Sequence, residues 1–285
     1  MTSFNWQCPL CQEALKETKH DWRCHNKHAF DKAKEGYVNL LLPNQKNSKA
    51  PGDSPEMVLA RRSFLNEGHY YPLAQAIAET IKGLTRNKMS ASGIKPTSAT
   101  PNIFDLGCGE GYYLYTIKAI LHDELKAHYG GIDISKKAVQ KAAKRNTNKQ
   151  FAVASTFNLP LSDDSQDIAI QIFAPSKTSE LARVLKTKAF WIWVNPHTEH
   201  LKELKHLVYD QPKLHNTELE LPQGFELINK QILNYKINLA EPEQRANLLM
   251  MTPFYWSISQ NKKDLLKRSL TDVTINFDIQ LLQKK

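Results

Sequence analysis

The sequence predicts an α/β protein built on a doubly wound sheet, with a small metal-binding module ahead of it. Three observations carry that expectation. From Asn102 onward, short apolar runs alternate with helical stretches. A glycine-rich loop follows the first of those runs. Cys8, Cys11, Cys24 and His28 stand near the N-terminus at the spacing C-x₂-C-x₁₂-C-x₃-H.

The apolar runs that read as strands are Ile103–Leu106, Tyr129–Ile134, Phe151–Ala154, Ile168–Phe173 and Phe190–Val194. Helical stretches lie between and after them, at Tyr113–Leu121, Lys136–Arg145, Ser179–Leu185 and His200–Tyr209. Strand, helix, strand in this order requires right-handed crossovers and a parallel sheet. Two later strands, near Phe225–Ile237 and Val273–Leu282, flank a helical insertion containing Met250 to Trp256. Upstream, residues 43 to 56 are polar with three prolines and read as a linker. A helical pattern then runs from Met57 to Leu84, and Tyr71-Pro72 is expected to break it into two helices. Residues 85 to 101 read as a loop.

Composition narrows the function classes. The chain has 285 residues, enough for one large domain and a small one with a sizeable core. No apolar run reaches about 18 residues, so a membrane span is not expected. Cys8 interrupts the place where a signal peptide would be apolar, which makes the cytoplasm the expected compartment. The net charge of +9 favours a polyanionic partner such as RNA.

In a reducing compartment, clustered cysteines bind metal more readily than they form disulfides. Three thiolates and one imidazole suit a closed tetrahedral structural zinc site. His25 and His20 compete for the fourth position, and the x₃ spacing favours His28. Backbone N–H groups inside the Cys8–Cys11 knuckle can point at sulfur. A module this small needs the metal for its stability. Lys16, Lys19, Arg23, Lys27, Lys32 and Lys34 alternate with Trp6, Trp22, Phe30 and Tyr37, the residue types that single-stranded or loop RNA asks for. Residue by residue the aromatics read better as a mini-core with the lysines facing water, while the module as a whole reads as substrate recognition.

Asp105-Leu106-Gly107-Cys108-Gly109-Glu110-Gly111 closes the first strand and opens the first helix. Glycine lets the backbone turn tightly, and the helix start offers free N–H groups to a ligand. The spacing G-x-G-x-G behind an acid differs from the dinucleotide fingerprint G-x-G-x-x-G. It resembles the first motif of class I S-adenosylmethionine (SAM)-dependent methyltransferases, which have a Rossmann-like sheet. Asp133, 22 residues after Gly111, ends the next strand where an acid would hold both ribose hydroxyls. Ser155 follows the third strand, in the segment that surrounds adenine in that class. The cofactor-facing set on these motifs is Asp105, Gly107, Gly109, Glu110, Gly111, Tyr112, Asp133 and Ser155. Cys108 has no base at obvious spacing and reads as a buried small residue.

Longer stretches narrow the resemblance. Cys8 to Cys11, Phe30 to Leu41, Pro51-Gly52-Asp53-Ser54, Ala60-Arg61-Arg62, Gly107 to Tyr113 and Met251-Thr252-Pro253-Phe254 closely resemble the bacterial 23S rRNA (guanine-N1)-methyltransferases. The resemblance implies a zinc-containing, SAM-dependent enzyme acting on N1 of one guanine in a hairpin loop of 23S rRNA, and a homodimer. It also implies that Tyr70 and His200 contact SAM. Two departures stand out. Lys186-Thr187-Lys188-Ala189 replaces the family's Lys-Pro-Gly-Gly turn, so a different turn geometry is expected. Ser176 stands where relatives can carry Cys, which argues against a catalytic thiol there.

Guanine N1 must lose a proton, and Asp53, His69 and His197 are the candidates to take it. Tyr113, Phe173 or Trp256 would receive a base splayed from its stack. The expected division is a zinc-binding RNA-recognition domain over 1–42, a linker and helical segment over 43–101, and the methyltransferase domain over 102–285. A small-molecule methyltransferase shares the cofactor motifs, and a non-catalytic RNA-binding factor could keep the fold. The first gives no reason for the metal module, and the intact Asp105, glycines and Asp133 speak against the second.

Overall fold

A computed structural model describes residues 6–45, 52–85, 100–145, 150–209 and 220–285. The middle of the proline-rich linker and most of the loop before Asn102 therefore lie outside the described residues.

The N-terminal module is a three-stranded antiparallel sheet of β1 (Lys16–Glu17), β2 (Asp21–Arg23) and β3 (Ala29–Asp31). It does not stand apart from the rest. Strand β4 (Val38–Asn39) pairs in parallel with β7 (Gln150–Val153), at the edge of the large sheet. Trp6 forms a bridge with Leu161, and its ring meets Phe104 edge-on at 6.2 Å. Trp6 and Trp22 are both buried, so the mini-core continues into the sheet's own core.

Helix α1 (Pro55–Asn66) begins where Ser54 Oγ accepts the Met57 N–H, with Pro55 at the first position. It ends at a turn through Gly68, φ +82°, a conformation that favours glycine. Helix α2 (Tyr71–Thr85) restarts at the expected break, and Pro72 falls in its first turn, where no N–H is needed. Leu73, Ile77, Ile81 and Leu84 form its buried stripe.

The large sheet adds β5 (Asn102–Leu106), β6 (His128–Asp133), β8 (Gln166–Ile172), β9 (Leu185–Pro196), β10 (Phe225–Asn238) and β11 (Asp272–Lys284). Its order is β10-β11-β9-β8-β5-β6-β7-β4. Strands β4 to β9 run parallel, and β11 enters antiparallel between β9 and β10. The sheet is thus mixed, because β10 and β11 form a long hairpin joined through the helical insertion. Helices α3 (Tyr112–Ile120), α4 (Lys136–Arg145), α5 (Thr178–Val184) and α6 (Lys202–Val208) lie between the strands, close to the expected stretches. Strand β9 starts five residues earlier than its apolar run, taking in Lys186 to Ala189 with Lys188 at φ +64°. The insertion holds α7 (Pro242–Met250), a short 3₁₀ turn over Pro253–Trp256 and α8 (Gln260–Ser269).

From β5 the chain winds one way to β6 and β7, then returns to β8 and β9 on the other side. Ligands in such sheets bind outside the carboxyl ends of the strands at this reversal. That locates the site beyond Leu106 and Ile172.

Candidate active site and metal centre

The loop after β5 turns through Gly107, Gly109 and Gly111, at φ +72°, +55° and +79°. A Cβ on Gly107 would lie 2.5 Å from the Cβ of Ala174, so only glycine lets these two loops meet. Gly111 caps α3. Asp133 ties the neighbouring strand to this loop: one carboxylate oxygen accepts the Gly109 N–H at 3.0 Å, the other the Ser135 N–H at 2.7 Å. Burial nevertheless raises the Asp133 carboxyl above its usual range. Asp105 is 2% exposed, and its Oδ2 has no hydrogen-bond partner among the described residues. Burial, reinforced by nearby Asp133, pushes its carboxyl up to about 8.

These residues open onto a cavity of about 490 Å³. Tyr70, Asp105, Gly107, Gly109 and Glu110 line it, as do Tyr112, Asp133, Ser155 and His200. Gly111 is not part of the wall. Glu110 is buried and faces Arg145 at 3.1 Å and Arg62 at 3.6 Å. Its carboxyl still rises to about 7, because burial outweighs both cations. Arg145 in turn lies over the ring of Tyr112 at 5.7 Å. His200 accepts the Asn276 N–H on Nδ1 at 3.3 Å, which leaves Nε2 as the protonated nitrogen of a neutral ring.

The three proton-acceptor candidates separate. Asp53 lines the cavity and pairs with Arg61 at 2.7 Å. The cavity wall includes neither His69 nor His197. His69 lies 3.2 Å from a Glu67 oxygen with its ring against Phe64, and His197 Nδ1 sits 2.9 Å from Asn276 Oδ1. Of the aromatics, Tyr113 and Phe173 reach the cavity, and Trp256 stands exposed two residues beyond Phe254 in its rim. Cys108 is buried, and burial raises its thiol well above the ordinary value, so it is no nucleophile.

The four N-terminal ligands converge. Their ligand atoms all lie within 4.8 Å of one another. Cys11 Sγ and Cys24 Sγ are 3.7 Å apart, and His28 Nδ1 lies 3.4 Å from the sulfurs of Cys8 and Cys24. A tetrahedron with zinc–sulfur arms of about 2.3 Å spaces its sulfurs about 3.8 Å apart. The donor set therefore fits zinc, with His28 as fourth ligand. Backbone N–H groups of Leu10 and Cys11 point at the Cys8 sulfur, as the knuckle predicts.

Residues 6–49 match the family described as RlmA, N-terminal, a zinc ribbon, and residues 98–265 match a methyltransferase domain. The 23S rRNA (guanine(748)-N(1))-methyltransferase of Streptomyces fradiae is 31% identical over 92% of this chain and 89% of its own length. The chain belongs to the 23S rRNA (guanine-N1)-methyltransferase family.

Another relative is YxjB of Bacillus subtilis, provisionally named a 23S rRNA (guanine-N1)-methyltransferase, at 30% identity over 98% of this chain and 97% of its own. Solved structures similar to the chain include the MccD protein, with TM-score 0.43 and 19% identity, covering 66% of this chain and 91% of that one. This methyltransferase is SAM-dependent and carries a zinc-binding ribbon. Its cavity fits the cofactor's charge: Asp105 Oδ2, without a hydrogen-bond partner among the described residues, stands in the wall where a cationic ligand would favour the ionised carboxyl. No helix among the described residues is long and apolar enough to cross a membrane.

Sequence reasoning missed part of the cavity wall. Thr156, Phe157, Ala174 and Pro175 follow the third and fourth strands of the winding, and Lys205 comes from α6. Position just past a strand end was the available signal for the first four. Lys205 carried none, since a lysine on a short helix reads as solvent-facing.

Proposed function

We propose that this methyltransferase acts on N1 of one guanine in a hairpin loop of 23S rRNA. The observation that carries this reading is similarity along nearly the whole chain, zinc ribbon included, to a relative named for that activity. SAM supplies an electrophilic methyl group, and alignment of the acceptor nitrogen with it provides much of the rate.

The chain's own residues divide the remaining work. Tyr70, Asp133, Ser155 and His200, with the glycine loop from Asp105 to Tyr112, bind the cofactor. Asp53 takes the N1 proton, and its pairing with Arg61 fixes the carboxylate's position. Arg61 also donates to the Met251 carbonyl at 3.1 Å, which links the Asp53 loop to the insertion. His69 and His197 act from behind that wall as positioning residues. Phe173 offers a face for the splayed guanine. Its backbone is held at φ +55°, costly for an aromatic residue, and its ring is stacked on His200 at 6.1 Å.

The exposed cations of the zinc ribbon, Lys16, Lys19, Arg23, Lys27 and Lys34, would meet the RNA loop, whereas Trp6, Trp22 and Tyr37 are buried and serve the core instead of stacking on bases. A homodimer and a cytoplasmic location complete the reading, with division into 1–42, 43–101 and 102–285.

The test is methyl transfer from labelled SAM to a 23S rRNA transcript, followed by mass mapping. One methyl group on N1 of a single loop guanine is expected. Label on another atom, or only on small-molecule extracts, would sink the proposal.

A further inference from the structure

Lys205 lies on the buried face of α6 with Leu204 and Val208. It is 5% exposed and contributes to the cavity wall. Its Nζ finds no hydrogen-bond partner among the described residues. Of the acids close to it in sequence, Glu203 accepts the Thr274 N–H and hydroxyl and Glu199 pairs with Lys202; Asp53, on the same cavity wall, pairs with Arg61. Burial alone acts on the ammonium and makes it easier to deprotonate.

An uncompensated buried charge is a large cost that folds tolerate where a ligand supplies the counter-charge. The backbone N–H of Lys205 donates to the carbonyl of Leu201, the residue after His200, and both of those residues share the same wall. The lysine stem is flexible enough to turn its head toward a bound molecule.

We propose that Lys205 is a ligand-binding residue whose ammonium takes an anionic oxygen brought into the cavity. Two ligands offer one. SAM carries a carboxylate on its methionine end. Guanine O6 gains negative charge as N1 gives up its proton, and this second source rests on the guanine reading above.

The variants Lys205→Met and Lys205→Arg separate the sources. Calorimetry would be run with SAM and with methylthioadenosine, which keeps the nucleoside and lacks the carboxylate. Single-turnover transfer to a 23S rRNA transcript would be timed alongside. The Met variant should melt no lower than wild type, because it removes an unpaired buried charge. Tenfold weaker SAM binding with unchanged methylthioadenosine binding assigns the carboxylate. Unchanged SAM binding with at least tenfold slower transfer assigns O6. In either case Lys205→Arg should recover part of the loss.

Equal weakening of both nucleosides would reduce Lys205 to packing and overturn the proposal. So would affinity and transfer rate both within twofold of wild type. A Met variant that fails to fold, with Lys205→Gln equally unfolded, would make the residue structural. If wild type leaves the transcript unmethylated, the guanine reading fails and the SAM comparison alone decides; unchanged SAM binding then overturns the proposal as well.

Discussion

Asp53 and Arg61 meet at 2.7 Å across the cavity wall, joining the loop before α1 to the helix itself. Gly52 stands directly before that acid at φ +83°, where a Cβ would come within 3.0 Å of Ile134 and Ser135. Ser135 also donates its hydroxyl to the Asp53 carbonyl at 3.3 Å. The acid is therefore anchored to the strand that carries Asp133.

Replacing Asp53 with Asn keeps the shape and removes the proton acceptor. Turnover should fall by about a hundredfold or more, the lower end of general-base contributions. SAM affinity measured by calorimetry should change by less than threefold. Unchanged turnover would remove Asp53 from the chemistry.

Gly107→Ala should abolish measurable SAM binding. The new methyl would meet Ala174 at 2.5 Å, and φ +72° adds about 1–2 kcal/mol of backbone strain. Thermal melting should show a modest loss of stability while circular dichroism keeps the fold. Wild-type affinity in the variant would mean that the loops can part freely.

SAM binding should strengthen as pH rises from 6 toward 8. Asp105 is held protonated up to about 8, and a net cationic ligand favours its ionised form. Binding at pH 7 therefore releases a proton, and affinity can grow by up to about tenfold per pH unit. The sign for the free protein is the reverse. A raised carboxyl contributes stability at low pH that is lost as pH climbs through about 8. Calorimetry in buffers of different ionisation enthalpy would count the proton. Asp105→Asn should flatten the profile, and an equally steep profile in that variant would refute the assignment.

Stripping zinc should destabilise more than the ribbon. Trp6 packs on Phe104 inside the large sheet, and Gln7 donates to the Pro160 carbonyl at 2.9 Å. Chelation or Cys24→Ser should lower the melting temperature of the whole chain, with red-shifted tryptophan emission. An unchanged melt with ribbon fluorescence alone altered would show the two parts to be uncoupled.

Much of the fold was legible because it rests on local patterns. Alternating apolar runs marked β5 to β9 within a few residues, apart from the start of β9, and Cys8, Cys11, Cys24 and His28 announced themselves by spacing. Glycines and acids at strand ends pointed to the cavity because the sheet's reversal lies there. What stayed hidden depends on long-range packing. Two residues, Val38 and Asn39, form a strand only because β7 offers an edge. Glu110 meets Arg145 and Arg62 only once α1 and α4 dock beside the loop. His69 and His197 looked equivalent to Asp53 in the sequence, yet their rings turn to Glu67 and Asn276 outside the wall.

The pairing of β4 with β7 also governs how sheets of this protein can meet. Val38 is bridged on its other side to Lys32, so the chain's own ribbon covers that margin of the sheet at Val38. The opposite margin, β10, is the terminal strand in the order. An edge of unpaired backbone groups is a template for another strand. Among the described residues of the large sheet, β10 is therefore the margin where a strand from another copy could add. Addition there would extend the sheet from its antiparallel side and leave the ribbon-covered side, next to the cofactor strands β6 and β7, untouched.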